Sequence, residues 1–355
     1  LLSVPEAWRD KRVFLCVGAA AHRAEGYLNG EKLCEHRCGY TAFRTELTGH
    51  LKAGEDARLV LRVDSRETLD QPPFGYVIDY MTYGGLYREA WLEVRGESYI
   101  SDVFARPAVP AAVPGSEKIS VVRFEGLLET TVTLGGVIPG NARLRQSVRL
   151  RGEDEPRRTE EFPSRGLEAE TSLTVPGAAL WDVDRPILYT LTTELWRGED
   201  LLDTVTTEFG FRRAEFRADG FYLNGRKLKL VGLNRHQSYP YIGYAATESL
   251  QREDARILKE ELSCTAVRTS HYPQSQYFID ECDRLGLLVF TEIPGWQHIG
   301  DEAWKDQSVR NVEEMVRQYR NHPSIVLWGV RINESQDDDP FYTRTNALCH
   351  KLDPS

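Results

Sequence analysis

This 355-residue chain has no long apolar run, no paired-cysteine motif and no basic cluster. A membrane-spanning helix needs 18 or more mostly apolar residues in a row, and none is present. The N-terminus, Leu1-Leu2-Ser3-Val4-Pro5, shows no basic stretch leading into an apolar one, so no secretory signal is visible. The six cysteines (Cys16, Cys34, Cys38, Cys264, Cys282, Cys349) never fall at CxxC spacing. Cys34, His36 and Cys38 could form half of a metal clip, but no second ligand pair stands at finger-like spacing, which favours buried or idle thiols. Scattered free thiols fit a reducing, cytoplasmic compartment. With a net charge of -10 and no run of Lys and Arg to follow a phosphate backbone, nucleic acid is a poor partner. What is present, 41% hydrophobic and 28% charged residues, describes a soluble globular protein long enough for two or three domains.

The chain divides by the character of its hydrophobic patterning. Residues 1–96 read as all-β: Val13–Val17, Arg58–Val63 and Ala90–Val94 alternate with turn signals. Among these are Asn29-Gly30, Gln71-Pro72-Pro73 and Gly84-Gly85. Many short strands with Gly and Pro turns predict a sandwich. The aromatic-rich segment Gly84-Gly85-Leu86-Tyr87-Arg88 could line a site or pack between sheets. Residues 97–212 form a second all-β segment, with strands at Lys118–Phe124, Leu127–Leu134, Ala142–Leu150 and Tyr189–Leu195. Their regular spacing resembles an immunoglobulin-like sandwich without the Cys...Trp...Cys core.

From residue 213 to 355 strands alternate with helices. Strands are expected at Lys229–Gly232, Thr265–Arg268, Leu287–Phe290 and Ile325–Trp328, the last read as fully buried. Thr247 can cap a first helix, Gln276–Leu285 is a second closed by Gly286, and Gln307–Tyr319 is a third. Four such alternations predict a parallel sheet covered by helices. Every strand leads into chemistry-capable groups: Asn234-Arg235-His236-Gln237, then Arg268 through His271-Tyr272-Pro273, then Glu292 through Trp296, then Asn333-Glu334. In a barrel these ends converge on one mouth. Arg, His and Glu there, with Tyr272, Trp296 and Trp328 nearby, suit a sugar, whose apolar face stacks on aromatic rings while polar groups hold its hydroxyls. Glu334 is the candidate general acid/base, against the plain alternative of a surface Glu in a loop.

These motifs together resemble glycoside hydrolase family 2: Phe209-Gly210-Phe211-Arg212, Asn224-Gly225, Gly232-Leu233-Asn234-Arg235-His236, Ala266 through Pro273, Cys282 through Leu287, Glu292-Ile293-Pro294 and Asn333-Glu334-Ser335. That is the family of β-galactosidases, β-glucuronidases and β-mannosidases. Gly84-Gly85-Leu86-Tyr87-Arg88 is similar to the family's Gly-Gly-Ile-Tyr-Arg segment. The resemblance implies a sugar-binding jelly-roll sandwich (residues 1–96), an immunoglobulin-like sandwich (97–212) and the first half of a (β/α)8 TIM barrel (213–355). It implies a retaining exo-β-glycosidase acting on terminal, non-reducing β-D-galactosides or related β-glycosides, with one carboxyl as acid/base and a second as nucleophile. Glu334 takes the acid/base role by resemblance. Asn333, His236, Arg268, His271 and Trp296 are the substrate-binding expectations. His236, Arg268 and His271 could instead support the barrel mouth, and Glu292 could touch substrate or pack behind it. No cofactor is required; the resemblance allows Mg²⁺ near the acid/base, with unassigned ligands, and it allows a homo-oligomer.

Three departures from the family pattern shape the expectations. One extra residue lies between Trp328 and Asn333, which a bulge can absorb while keeping Glu334 aimed inward. Gln237 stands where the β-galactosidase form of the motif has Glu, leaving the sugar open. The chain stops at Ser355, just past the fourth strand, so a fragment without its seventh-strand nucleophile is expected, inactive by itself. Alternative readings are a β-glucuronidase or β-mannosidase of the same family, or a non-catalytic carbohydrate-binding relative. Arg235 in place of Lys leans slightly away from β-glucuronidase.

Overall fold

The computed structural model describes residues 1–75, 77–110, 123–164 and 166–355. In the first segment two three-stranded antiparallel sheets face each other. One orders Ala90–Arg95, Arg12–Val17 and Phe43–Glu46; the other orders Glu31–His36, Arg23–Leu28 and Leu59–Asp64. Arg23–Leu28 alternates between half-buried and buried residues, as one sheet face turned to the core demands. Asn29 and Gly30 take left-handed φ values of 52° and 91°, which a tight hairpin requires of both central residues. Leu15, Val17, Ala24 and Leu28 fill the space between the sheets.

The second segment is a sandwich of three strands on four. Ser98–Ala108, Phe124–Gly136 and Glu168–Ala178 face Arg158–Pro163, Ala142–Leu150, Tyr189–Arg197 and Asp200–Phe209. The expected strand at Lys118–Phe124 lies mostly outside the described residues; Phe124 opens the long strand that also holds Leu127–Leu134. Leu128, Val132, Leu144, Val148 and Leu191 form the core. One polar node survives inside it: Gln146, fully buried, donates to Thr130 Oγ1 at 2.9 Å and accepts from Thr171 Oγ1 at 2.6 Å. A buried amide satisfied this way fixes the facing of the two sheets instead of destabilising them.

The third segment opens with a small antiparallel sheet, Ala214–Arg217, Gly220–Leu223 and Arg226–Leu228. Four parallel barrel strands follow in chain order: Gly232–Arg235, Ala266–Thr269, Leu288–Glu292 and Ile325–Gly329. Helices Glu248–Arg256, Gln276–Leu285, Glu302–Tyr319 and Asp339–Leu352 accompany them. The second helix matches its expected bounds, and Gly286 ends it at φ 71°. A Cβ at Gly286 would also lie 2.6 Å from the Val183 carbonyl, so close approach and turn geometry both require glycine.

Four expectations need correction. The first barrel strand is Gly232–Arg235, not Lys229–Gly232. Thr247 has extended geometry at the first helix but makes no cap; its hydroxyl meets Ser249 Oγ at 3.0 Å instead. The third helix begins at Glu302, five residues before Gln307, because Asp301 caps it by accepting from Trp304 N at 3.0 Å. The fourth strand is not fully buried: Leu327 is 38% exposed, and Leu233 on the first strand is 52% exposed. Helices cover one face of this sheet, and the opposite apolar face is open among the described residues.

Contacts between segments fix the barrel strands in space. Arg212, part-buried at the junction, donates from Nε to the Pro323 carbonyl and from Nη2 to the Ile325 carbonyl, each at 2.7 Å. Asn321 bridges to the second sandwich, its Nδ2 donating to the Val103 carbonyl at 2.8 Å. Trp304 Nε1, on the third helix, donates to the Phe74 carbonyl of the first segment at 2.9 Å. Replacing Arg212 by Met leaves two carbonyls at the start of the fourth strand without donors. Stability measured by urea denaturation is expected to fall by roughly 2–4 kcal/mol. His22 is 2% exposed and stacks edge-on against Phe74, and burial holds its pKa down at about 4. The unfolded chain takes up this proton near pH 6.5, so the residue's contribution is whole above that pH and is lost as pH falls toward 4. The loss is up to roughly 3 kcal/mol, and it should be smaller in His22→Phe when urea midpoints at pH 7 and 4.5 are compared.

Candidate active site

The C-terminal ends of the second, third and fourth barrel strands meet at one carboxylate. Glu292, last residue of the third strand, is 2% exposed. Its Oε2 accepts from Arg268 Nη2 at 2.8 Å and Nε at 3.2 Å, and its Oε1 accepts from His271 Nδ1–H at 2.5 Å. Arg268 Nη2 also donates to Asn333 Oδ1 at 2.8 Å, so one guanidinium ties the second strand to the loop after the fourth. Strand spacing leaves room for this only because the residue opposite Glu292 is Gly329: a Cβ there would lie 2.4 Å from the Glu292 Cβ. Glu292, about evenly divided between contact and support in the sequence, is the hub that orients three of the expected site residues.

The extra residue of the fourth-strand motif falls after Trp328, beyond the strand's register shift, so it is taken up where the chain leaves the sheet and not by a bulge within it. A bulge at Val326 lets Val289 pair with Ile325 and Phe290 with Leu327. After Gly329 the chain leaves the sheet, Arg331 turns out to Asp337 at 2.6 Å, and Ile332 is buried again at 1% exposure. Asn333 then rejoins the neighbouring loop through a parallel bridge to Trp296. Asn333 is thereby aimed into the Arg268 network. Glu334 follows in a left-handed turn (φ 55°), exposed at the rim, with Oε2 accepting from Gln297 Nε2 at 3.1 Å.

His236, beyond the first strand, lies beside His271 with ring centroids 5.7 Å apart. Burial, with the neighbouring His271, lowers its pKa, so the ring is neutral near pH 7. Tyr272 OH stands 3.2 Å from His236 Nδ1 and accepts from Gln237 N at 3.3 Å. Tyr272 is fully buried and so is no stacking face for a ligand, contrary to expectation. Trp328 is also removed from the mouth, because its Nε1 donates to Asp353 Oδ2 at 2.9 Å on the helix side. Arg235 is likewise turned away: it is 7% exposed, pairs with Asp254 and lies 4.0 Å over the Phe278 ring. Its presence therefore reports helix packing rather than sugar choice.

The first segment contributes more than the sequence suggested. Arg88 donates to the Tyr40 carbonyl at 2.9 Å, to Gln237 Oε1 at 3.0 Å and to the Pro273 carbonyl at 3.2 Å. The Gly84–Arg88 segment thus packs, and it packs against the barrel mouth. Tyr80, unnoticed in the sequence, places its ring 5.1 Å from His236 and 5.9 Å from His271. Burial raises its pKa well above the ordinary value, so it stays a hydroxyl. The one sequence signal was its place in an aromatic-rich run downstream of Pro72-Pro73. Three buried polar atoms around this mouth have no partner among the described residues: Tyr80 OH, Gln237 Nε2 and Trp296 Nε1.

Two family models match adjoining parts of the chain: "Glycosyl hydrolases family 2" over residues 125–212, and its "TIM barrel domain" over residues 214–355. The chain belongs to glycosyl hydrolase family 2. It is similar to the β-galactosidase of Thermoanaerobacter pseudethanolicus, 42% identical over 354 residues, covering 99% of this chain and 46% of that protein. It is similar to the β-galactosidase of Thermoanaerobacterium thermosulfurigenes, 41% identical over 361 residues, covering 100% of this chain and 49% of that protein. Among solved structures, Bacteroides uniformis β-glucuronidase 2, covalently bound to cyclophellitol-6-carboxylate aziridine, superposes with a TM-score of 0.83 at 27% identity, covering 99% of this chain and 44% of that one. The chain thus spans about half the length of the curated relatives it matches. As a family 2 chain it carries its two sandwiches in front of the barrel strands, and the first sandwich reaches over their C-terminal ends.

Among the described residues no group of three or more His, Cys, Asp and Glu side chains converges to hold a metal ion. Glu292 is already engaged by Arg268 and His271, and His36 of the Cys34–Cys38 trio faces Glu314 at 3.1 Å. Removing the hub carboxylate should be costly, because it strands a guanidinium built to be paired. Glu292→Gln is expected to lower stability by about 3 kcal/mol in chemical denaturation. It should also broaden the Asn333 side-chain amide signals in NMR.

Proposed function

We propose that the full-length protein is a retaining exo-β-glycosidase removing terminal, non-reducing β-D-galactose or a closely related sugar. The observation that carries this is the placement of Asn333-Glu334 at the C-terminal end of the fourth barrel strand, with Asn333 locked by Arg268 at 2.8 Å. Glu334 acts first as general acid, giving its proton to the departing oxygen, and then as general base, taking one from water. The attacking carboxylate is assigned to the remainder of the full-length protein. A covalent adduct in the B. uniformis relative supports a mechanism with such a nucleophile. Asn333, fixed on its Oδ1 side by Arg268, has its Nδ2 free to donate to the 2-hydroxyl. His236, neutral, and His271, oriented by Glu292, complete the polar lining.

A galactoside is favoured over a glucuronide on charge. Among the described residues, the Arg88 and Arg268 guanidinium groups at this mouth are engaged by protein acceptors, which supports this reading. Six unpaired thiols support a reducing compartment. In the full-length protein a panel of chromogenic β-glycosides is expected to give the highest kcat/KM on the galactoside. Glu334→Gln should cut kcat/KM on an alkyl β-galactoside by roughly 10²–10⁴-fold. Full activity of that variant on the same substrate would remove Glu334 from the mechanism, and preference for a glucuronide would overturn the sugar assignment.

A further inference from the structure

Gln297 lies in the loop after the third barrel strand, with φ at 58°. A residue with a side chain holds this left-handed conformation only where its surroundings fix it. Two hydrogen bonds do so, and both run to the loop after the fourth strand. The Gln297 N–H donates to the Asn333 carbonyl at 2.7 Å, and Nε2 donates to Glu334 Oε2 at 3.1 Å. The Trp296–Asn333 bridge sets the register between the two loops. Glu334 is itself left-handed at φ 55°, so a left-handed residue on each loop faces the other across this pairing.

From this geometry we infer that Gln297 is the positioning residue for the Glu334 carboxyl, holding Oε2 so that Oε1 is the oxygen that carries and returns the proton. The inference rests on the acid/base reading of Glu334. An amide N–H can donate to the carbonyl oxygen of a neutral carboxyl as well as, more strongly, to an oxygen of the carboxylate. Gln297 can therefore keep its grip while Glu334 changes from acid to base. A cation in the same place would favour the ionised form and oppose the first step. The nearby cations are turned elsewhere: Arg268 to Glu292 and Asn333, and Arg331 to Asp337. The side chain at 297 is thus neutral, a donor, and fixed by its own backbone.

The test compares kcat/KM for a dinitrophenyl β-galactoside, which needs little acid assistance, with an alkyl β-galactoside, which needs it fully. It uses the full-length protein, Gln297→Met, Gln297→Gly and Glu334→Gln. Met keeps the length without the donor. Gly suits the left-handed backbone and keeps the main-chain bond, and melting temperatures confirm folding. A hydrogen bond to an ionisable carboxyl is worth roughly ten- to a hundredfold. Both Gln297 variants are therefore expected to raise the dinitrophenyl-to-alkyl ratio by about tenfold or more, in the same direction as Glu334→Gln but by less. A wild-type ratio in both, with the ratio raised in Glu334→Gln, overturns the assignment of Gln297 alone. Equal losses on both substrates overturn it as well, because they mark a purely structural role. An unchanged ratio in Glu334→Gln overturns the acid/base reading beneath it.

Discussion

Burying the carboxylate of Glu292 would be prohibitive without compensation, and the compensation organises the mouth of the barrel. A carboxylate removed from water needs a counter-charge and several donors, and the neighbouring second strand supplies them: Arg268 from within it and His271 from the loop just beyond it. Because the low-dielectric surroundings strengthen each of these bonds, small displacements are costly and the strand ends are held as one unit. Asn333 inherits that rigidity through Arg268. The group proposed to meet substrate is thus positioned by an interaction that does not itself touch substrate. In that sense Glu292 matters more to the geometry than its modest place in the sequence implies.

The titratable groups at the described part of this mouth are each held in a fixed state or engaged by the protein. His236 is kept uncharged by burial beside His271, Tyr80 is kept as a hydroxyl, and Arg88 and Arg268 are engaged by protein acceptors. What remains unpaired is a set of neutral hydrogen-bonding atoms.

Much of this was legible in the sequence, for reasons that differ between elements. The helix Gln276–Leu285 was readable to the residue because its apolar spacing and the glycine at its end report local physics. His236, Arg268, His271 and Asn333 were readable as candidates because strand ends are marked by a change from apolar to polar residues. Long-range partners were not readable. The first barrel strand was misplaced by three residues because Lys229–Gly232 is as apolar as the true strand, and pairing to Ala266–Thr269 decides the matter. Tyr272 and Trp328 were placed at the mouth because sequence proximity cannot say which side of a strand a ring takes. Tyr80 was missed because its contacts lie more than 150 residues away, on another segment. The bulge at Val326 has no local signature at all.

The loop from the first sandwich is fastened at several points, two of them on the barrel's third helix and strand ends. The Phe74 carbonyl is held by Trp304 on the third helix, and Arg88 is held by Gln237 and Pro273 at the first and second strand ends. Between these anchors lies the stretch that presents Tyr80. A segment held by residues of another part of the chain keeps its place only in the company of those partners. For recombination between relatives, the exchangeable unit is therefore not the loop alone. It is the loop together with Trp304, Gln237 and the turn at Pro273, and chimaeras cut between them would carry a first sandwich that folds but no longer reaches the site it serves.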